Sequence, residues 1–164
     1  SLNIDKIYLG ISDDVEVYLG TVKVWPEDVP PTPFSGKYKF TLTDDSVVSG
    51  ECGSSTELER AEASAYTSTL KEAVIGDCVT SISTAAFYNC GSLTSVAIGS
   101  GVTNIGGSAF HSCSGLTSVN IPNSVTSIGD SAFYGCTSLT SIDMPNSVTS
   151  IGDWAFYGLS LIHI

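Results

Sequence analysis

Basic residues are scarce in this sequence, and their scarcity excludes whole classes of partner. The 164 residues contain six Lys and Arg against 17 Asp and Glu, which gives a net charge of −11 and an isoelectric point near 4.2. Nucleic acids and anionic membrane surfaces are bound by basic faces, so neither is a predicted partner. Apolar runs of about 18 residues are also absent, so the sequence predicts no membrane-spanning helix.

Residue patterns that carry catalysis or bind metal are few. The two histidines, His111 and His163, lie far apart in the chain. No Ser-His-Asp spacing, nucleophile elbow or glycine-rich phosphate loop stands out. Asp130, Asp143 and Asp153 are scattered, without the spacing of a calcium-binding loop. The sequence therefore predicts no catalytic residue, no metal site and no cofactor, and a protein that is not an enzyme.

What the sequence does contain is an internal repeat. Three successive segments of 23 residues and a fourth of 22 begin at Leu70, Leu93, Leu116 and Leu139. A fixed period of this length is typical of a solenoid, in which each coil buries its apolar edge against the next. Matched positions stay apolar and should form columns through the core: Leu70, Leu93, Leu116, Leu139; Ala73, Val96, Val119, Ile142; Ile75, Ile98, Ile121, Met144; Val79, Val102, Val125, Val148; Ile82, Ile105, Ile128, Ile151; and Phe87, Phe110, Phe133, Phe156.

The third repeat predicts how each coil is built. Residues 116–121 follow the pattern L-x-x-V-x-I and should form a short strand whose alternate side chains turn inward. Gly129 should allow a backbone bend that a Cβ atom would resist. Asp130 is placed to cap a single helical turn over residues 131–134, and Gly135 should end that turn.

The repeat pattern L-T-S-V-x-I-P-x-S-V-T-x-I-G-x-x-A-F-x-x-C resembles the BspA-like leucine-rich repeat family. The resemblance covers the chain from Leu70 to about Ile164. It implies a leucine-rich repeat solenoid on a bacterial surface or secreted protein, and therefore a cell-surface or extracellular location. It also implies adhesion or protein binding and no catalytic residues.

Two Y-L-G units near the N-terminus, at residues 8–10 and 18–20, carry a second resemblance. They are similar to short β modules of phage tail proteins and gut bacterial surface proteins. A phage or prophage tail-associated structural protein is therefore the alternative function.

The predicted fold class is mainly β: a leucine-rich repeat solenoid with short helical turns, capped by an N-terminal β-hairpin and preceded by a small β meander. The four expected segments are a meander at 1–25, a proline-rich linker at 26–34, a cap at 35–69 and the solenoid at 70–164.

The cap is predicted from two local patterns. Residues 37–43 alternate with period two and residues 47–49 return after a polar turn, which indicates a β-hairpin. The side chains of Tyr38, Phe40 and Leu42 should face the first coil. A Thr56-x-x-Glu59 capping box should open a short helix over residues 57–63.

The five cysteines fall into two groups. Cys90, Cys113 and Cys136 share one position of the repeat, where a metal would need ligands that converge on one point, so we expect them to pack in the core. Cys52 and Cys78 lie off that column. They either form a disulfide between the cap and the first coil or remain free thiols.

Two surfaces are candidate binding sites. The opening strands expose a small, neutral-polar face composed of Ser95, Ala97, Ser118, Asn120, Ser141 and Asp143. A second candidate is an aromatic strip composed of Tyr88, His111, Tyr134 and Tyr157. Each surface is either a binding site or an ordinary solvated part of the solenoid.

A protein on a host or bacterial surface is the expected partner. A second copy of the chain is another candidate, through residues 1–25 or through the C-terminal edge. Residues 161–164 are apolar and look like the opening strand of a fifth coil, and such an edge is prone to pair with another strand.

Overall fold

The computed structural model describes residues 17–19, 22–24 and 35–159, and the chain divides into two units, Ser1–Pro33 and Phe34–Ile164. In the first unit, strands β1 (Val17–Leu19) and β2 (Val22–Val24) pair antiparallel. The rest of the predicted meander and linker lies outside the described residues, as does the predicted fifth-coil strand at 161–164 with His163. The boundaries between the four expected segments remain predictions.

The second unit begins with the predicted hairpin, which is confirmed. Strands β3 (Tyr38–Leu42) and β4 (Val47–Gly50) pair antiparallel around a tight turn in which Asp45 is left-handed, with φ 63°. Phe40 is fully buried, while Tyr38 and Leu42 are partly buried against the same core.

The predicted helix at 57–63 is wrong in its start and its cap. Glu57–Leu58 is a strand, β5, because fully buried Leu58 pairs in parallel with Ile82 and therefore needs an extended backbone. The helix α1 follows at Arg60–Ser64. Its capping box joins Glu59 to Glu62 instead of Thr56 to Glu59, and the Glu59 backbone N–H donates to Glu62 Oε2 at 2.8 Å.

The remaining strands come from the repeats. They are β6 (Leu70–Ile75), β7 (Ser81–Ile82), β8 (Ser95–Ile98), β9 (Asn104–Ile105), β10 (Ser118–Asn120), β11 (Ser127–Ile128) and β12 (Ser150–Ile151). In the second unit, the first sheet has the strand order β10-β8-β6-β3-β4, and the second sheet has the order β12-β11-β9-β7-β5. All coil-to-coil pairs are parallel, and only the hairpin strand β3 joins β6 in the antiparallel direction. The mainly β solenoid with a hairpin cap is thus confirmed.

Residues 56–69 are themselves part of a coil. The backbone N–H of Thr80 donates to Thr56 O at 2.8 Å, and that of Ser83 donates to Leu58 O at 3.0 Å. One coil later, Thr103 N–H donates to Thr80 O at 2.9 Å in the same way. This partial coil has no opening strand of its own, so β3 occupies that place beside β6.

In each coil, the segment that follows the strand of the second sheet (β7, β9, β11 or β12) is a run of tight turns and not a right-handed helical turn. Ser131 is left-handed, with φ 54°, and its backbone N–H donates to Asp153 O of the next coil at 2.8 Å. Because coil-to-coil bonds take these N–H groups, a helix cannot form. Asp130 does not cap this turn. Its Oδ1 accepts instead from the Asp153 backbone N–H at 2.9 Å.

Gly129 is required for a reason other than the predicted bend. A Cβ atom there would lie 2.5 Å from Gly107 N and 2.8 Å from Gly106 C, both backbone atoms of the preceding coil. The coils approach each other so closely at this position that no side chain fits between them. Gly135, by contrast, is left-handed, with φ 71°, as expected for a residue that ends a turn.

The apolar columns form the core. Phe87, Phe110 and Phe133 are fully buried, and successive ring centroids are 5.1 Å apart with nearly parallel planes. Phe156 is partly buried, with its centroid 5.5 Å from that of Phe133. The prediction fails for Ile151, which is 51% exposed because no described coil covers its outer side.

Threonine side chains join the coils along the second sheet. The Oγ1 atoms of Thr103, Thr126 and Thr149 donate to the backbone carbonyl of the matched threonine one coil earlier, at 3.1, 3.1 and 3.2 Å. Thr117 makes the same bond to Thr94 O at 3.1 Å beside the first sheet. These ladders give the abundant threonines a structural role.

Candidate functional site

The first candidate surface is the outer side of the first sheet, which we call the sheet face: Ser95, Ala97, Ser118, Asn120, Ser141 and Asp143. Strand register places Ser118 beside Ser95 and Asn120 beside Ala97, and Asp143 forms an isolated bridge with Asn120. Five of the six residues, all but Ser95, line a shallow depression of about 350 Å³ whose floor includes Val96 and Val119. The predicted residues are therefore brought together on one surface.

The sheet face continues onto the cap, which sequence reasoning missed. Glu72 lies beside Ser95, and Thr41 of the hairpin lies beside Glu72. In the next row, Lys39 of the hairpin lies beside Val74. The matched positions thus form two rows of side chains across the sheet. Both rows carry a charge near the hairpin, at Glu72 and at Lys39, and pass through neutral residues, and the second row ends at the acidic Asp143. The antiparallel pairing of β3 with β6 creates this extension, and no repeat pattern marks it in the sequence.

The second candidate surface, the aromatic strip, is a continuous stack of rings. The centroid distances along it are 4.9 Å for Tyr88 to His111, 4.8 Å for His111 to Tyr134 and 5.2 Å for Tyr134 to Tyr157. The Ser112 hydroxyl also lies 2.9 Å from His111 Nδ1. Inner ring faces cover one another, so the strip presents ring edges along its length. Within the described residues, Tyr88 and Tyr157 are the strip members with one ring face outside the stack.

The two ends of the strip differ. The guanidinium carbon of Arg60 lies 5.8 Å from the ring centroid of Tyr88, so a cation covers the first end. At the other end Tyr157 is 60% exposed. Neither Arg60 nor the contrast between the ends was predicted, because Arg60 precedes the repeats.

Trp154 adds a third ring at the open end, and sequence reasoning missed it. It is 71% exposed and left-handed, with φ 59°. Together with Tyr134 and Tyr157 it lines a depression of about 250 Å³, which we call the aromatic depression. Comparison of G-D-S-A-F in the third repeat with G-D-W-A-F in the fourth would have identified it.

A third depression, of about 550 Å³, lies over the second sheet. Its walls include Glu57, Glu59 and Arg60 from the partial coil and Asn104 from β9. Within the described residues, no group of three or more His, Cys, Asp or Glu side chains could hold a metal ion. In the same part of the chain, no helix is both long and apolar enough to cross a membrane.

The cysteines of the repeat are packed in the core as free thiols. Cys90, Cys113 and Cys136 are fully buried, and the thiols of the last two donate to backbone carbonyls one coil earlier at 3.1 Å. Burial raises the pKa of Cys90 to about 11 and that of Cys136 to about 12, and it raises the pKa of Cys113 further. These thiols therefore remain protonated and unreactive near neutral pH.

Cys52 and Cys78 form a disulfide in the structure, with Cα atoms 6.2 Å apart. The bond joins the segment after the hairpin to the first coil. A partly buried ion pair also holds this end together, since Lys37 Nζ lies 2.8 Å from Glu62 Oε1 of α1. The cap is thus held to the solenoid by covalent and electrostatic contacts as well as by apolar packing.

Comparison with known proteins identifies the repeats. Residues 60–164 match the BspA type leucine rich repeat region in six copies, a larger number than the four repeats counted above. No curated protein matches the chain.

Three solved structures are similar to parts of the chain. A leucine-rich repeat protein from Bacteroides ovatus is 47% identical over 49% of this chain and 21% of its own, with a TM-score of 0.48. The pneumococcal vaccine antigen PcpA is 25% identical over 56% of this chain and 23% of its own, with a TM-score of 0.54. A leucine rich cell surface protein from Faecalibacterium prausnitzii is 27% identical over 83% of this chain and 55% of its own, with a TM-score of 0.33. The chain thus spans about a fifth of the length of the first two.

Proposed function

Because the chain belongs to the BspA type leucine-rich repeat family, we propose that it is a non-enzymatic protein-binding module of a bacterial surface or secreted protein. The sheet face is the proposed contact surface, and adhesion to a protein on a host or bacterial surface is the proposed role. The likeness to PcpA, which is a vaccine antigen, supports an exposed location.

The observation that carries this proposal is the in-register alignment of the sheet face over a depression of about 350 Å³. Stacked coils of this kind form extended surfaces that other repeat proteins use for binding. Small side chains such as Ser118 and Ala97 let a partner approach the backbone of the sheet closely. Buried ring columns and threonine ladders hold the rows rigid, so little conformational entropy is lost on binding.

The sheet face presents no aromatic ring in the described rows, so the partner must supply the large side chains. A partner that fills the depression and covers the rows on both sides could bury the roughly 800 Å² per protein of a stable interface. Asp143 at one end and Glu72 near the other favour a partner with basic groups at the matching positions.

The test uses a pair of variants. The chain is immobilised and titrated with purified fibronectin, laminin and collagen in a surface plasmon resonance assay. We expect saturable binding to at least one of them and a loss of roughly tenfold or more in affinity for Ser118→Arg with Asn120→Arg, because two long cations fill the depression. The control is Ser114→Arg, an exposed turn residue away from the sheet.

Circular dichroism spectra of the variants should match that of the parent chain, which shows that both are folded. Saturable binding to none of the three proteins would contradict the proposal. Equal affinity of the two variants for a bound protein would also contradict it.

A further inference from the structure

We propose that the aromatic depression of Tyr134, Trp154 and Tyr157 is a binding site for an arginine side chain of a protein partner. This inference rests on the proposed function only in taking the partner to be a protein. The site lies on the aromatic strip and shares no residue with the sheet face.

The lining of the depression is chemically uniform. Three aromatic rings line its volume of about 250 Å³. Trp154 and Tyr157 are largely exposed, at 71% and 60%, while Tyr134 is stacked between His111 and Tyr157 and contributes only its ring edge. The faces of Trp and Tyr rings carry negative electrostatic potential and attract cations within about 6 Å of the ring centroid. A planar guanidinium also stacks on such faces, which a compact ammonium does less well.

The chain itself contains the same interaction at the opposite end of the stack. Arg60 places its guanidinium carbon 5.8 Å from the ring centroid of Tyr88. The rings between Tyr88 and Tyr157 are stacked at 4.8 to 5.2 Å, so the two end faces belong to one column. One end of the column is covered by arginine, and Tyr157 at the other end has no cation over it in the described residues.

Trp154 is not needed by the fold at its position. The matched residues in the earlier coils are Ala85, Ser108 and Ser131, with φ between 54° and 57°, and Trp154 has φ 59°. The left-handed backbone is therefore common to the four coils, and the fourth coil alone places a large side chain on it, whose indole gains little burial. Trp154 and Tyr157 together form an exposed apolar patch where the earlier coils carry Ala or Ser in place of Trp, and such a patch favours a role in binding.

The charge of the solenoid favours a cation. Residues 70–164 contain five acidic residues and one basic residue, Lys71, which gives a net charge of −4. Lys71 is paired with Asp45 at 2.8 Å at the cap end. Asp153, which is exposed, directly precedes Trp154. An arginine that approaches the aromatic depression therefore meets attraction from the rings and from the net negative charge of the solenoid.

The test compares two peptides that differ only in charge. The full chain, labelled with ¹⁵N, is titrated with acetyl-Gly-Arg-Gly-amide and with the same peptide carrying citrulline, a neutral side chain of nearly the same shape. Amide resonances of residues 134 and 154–157 should shift, and the arginine peptide should bind roughly two- to tenfold more tightly than the citrulline peptide.

Two variants locate the effect. Trp154→Ser places in the fourth coil the residue that Ser131 and Ser108 already provide, so it should fold and should abolish the difference between the peptides. Arg60→Ala uncovers the ring of Tyr88 and should create a second site with the same preference for arginine over citrulline.

Four results would overturn the inference. They are equal affinity for the two peptides, unchanged preference in Trp154→Ser, no second site in Arg60→Ala, and no shift at residue 157. Because the peptides do not depend on the sheet face, failure here leaves the Ser118→Arg with Asn120→Arg test intact, and the reverse also holds.

Discussion

Replacing Phe110 by alanine should lower the free energy of unfolding by about 4 kcal/mol, because this ring is the centre of the aromatic core. It is fully buried between Phe87 and Phe133, with both centroids at 5.1 Å and ring planes within 9°. An aromatic side chain buries about 150–250 Å², which at ~25 cal/mol per Å² corresponds to roughly 4–6 kcal/mol. Alanine retains part of that burial, while the cavity left between two rigid coils adds to the cost.

Phe156→Ala is the matched comparison. Phe156 is only partly buried and stacks on one ring, Phe133, at 5.5 Å, so its loss should cost about 2 kcal/mol, roughly half as much. The assay is urea denaturation followed by far-ultraviolet circular dichroism, with the slope of the transition unchanged in both variants. Equal costs for the two substitutions, or a cost below about 1 kcal/mol for Phe110→Ala, would show that the stacked columns do not hold the coils together.

Three further predictions follow from other parts of the structure. Replacing Cys52 and Cys78 by serine should cost roughly 3 kcal/mol in urea denaturation, because the disulfide closes a loop with a sequence separation of 26, and an unchanged midpoint would contradict this. Gly129→Ala should lower the melting temperature, since its Cβ meets backbone atoms, while Gly53→Ala, with nothing within 4 Å, should not; equal melting temperatures would contradict the close approach of the coils. The contribution of the buried thiols to stability should be constant near neutral pH and should be lost between pH 9 and about 12, by at most ~1.4 kcal/mol per pH unit for each thiol, because burial raises the folded-state pKa values from 9.0. Cys113→Ala should make this alkaline decline shallower, and an equal slope in the variant would refute the assignment.

The partial coil at residues 56–69 explains how the solenoid begins without an exposed apolar end. Leu58 and Ala63 are fully buried against the first complete coil, and Phe40 of the hairpin is buried beside them. The hairpin strand β3 takes the place of an opening strand, but it runs in the opposite direction. A parallel edge is thereby converted into an antiparallel hairpin, whose short outer strand β4 ends the sheet.

The repeat period alone predicted the core of the four counted repeats. Positions that recur every 23 residues stack on one another in any solenoid, so the columns through Leu116, Val125 and Phe110 followed from the sequence without coordinates. The same argument placed the sheet face and the aromatic strip, because each is a set of matched positions. It also placed the thiol column in the core.

Tertiary structure decided the backbone conformation within each coil and the contacts of the residues that precede the repeats. Coil-to-coil hydrogen bonds impose a left-handed backbone on Ser131 where local signals indicated a helical turn. Pairing with Ile82 makes Leu58 extended and moves the start of the helix to Arg60. Arg60 lies over Tyr88 because contacts between residues distant in sequence place it there. Local patterns report only local preferences, and the packing of neighbouring coils overrides them.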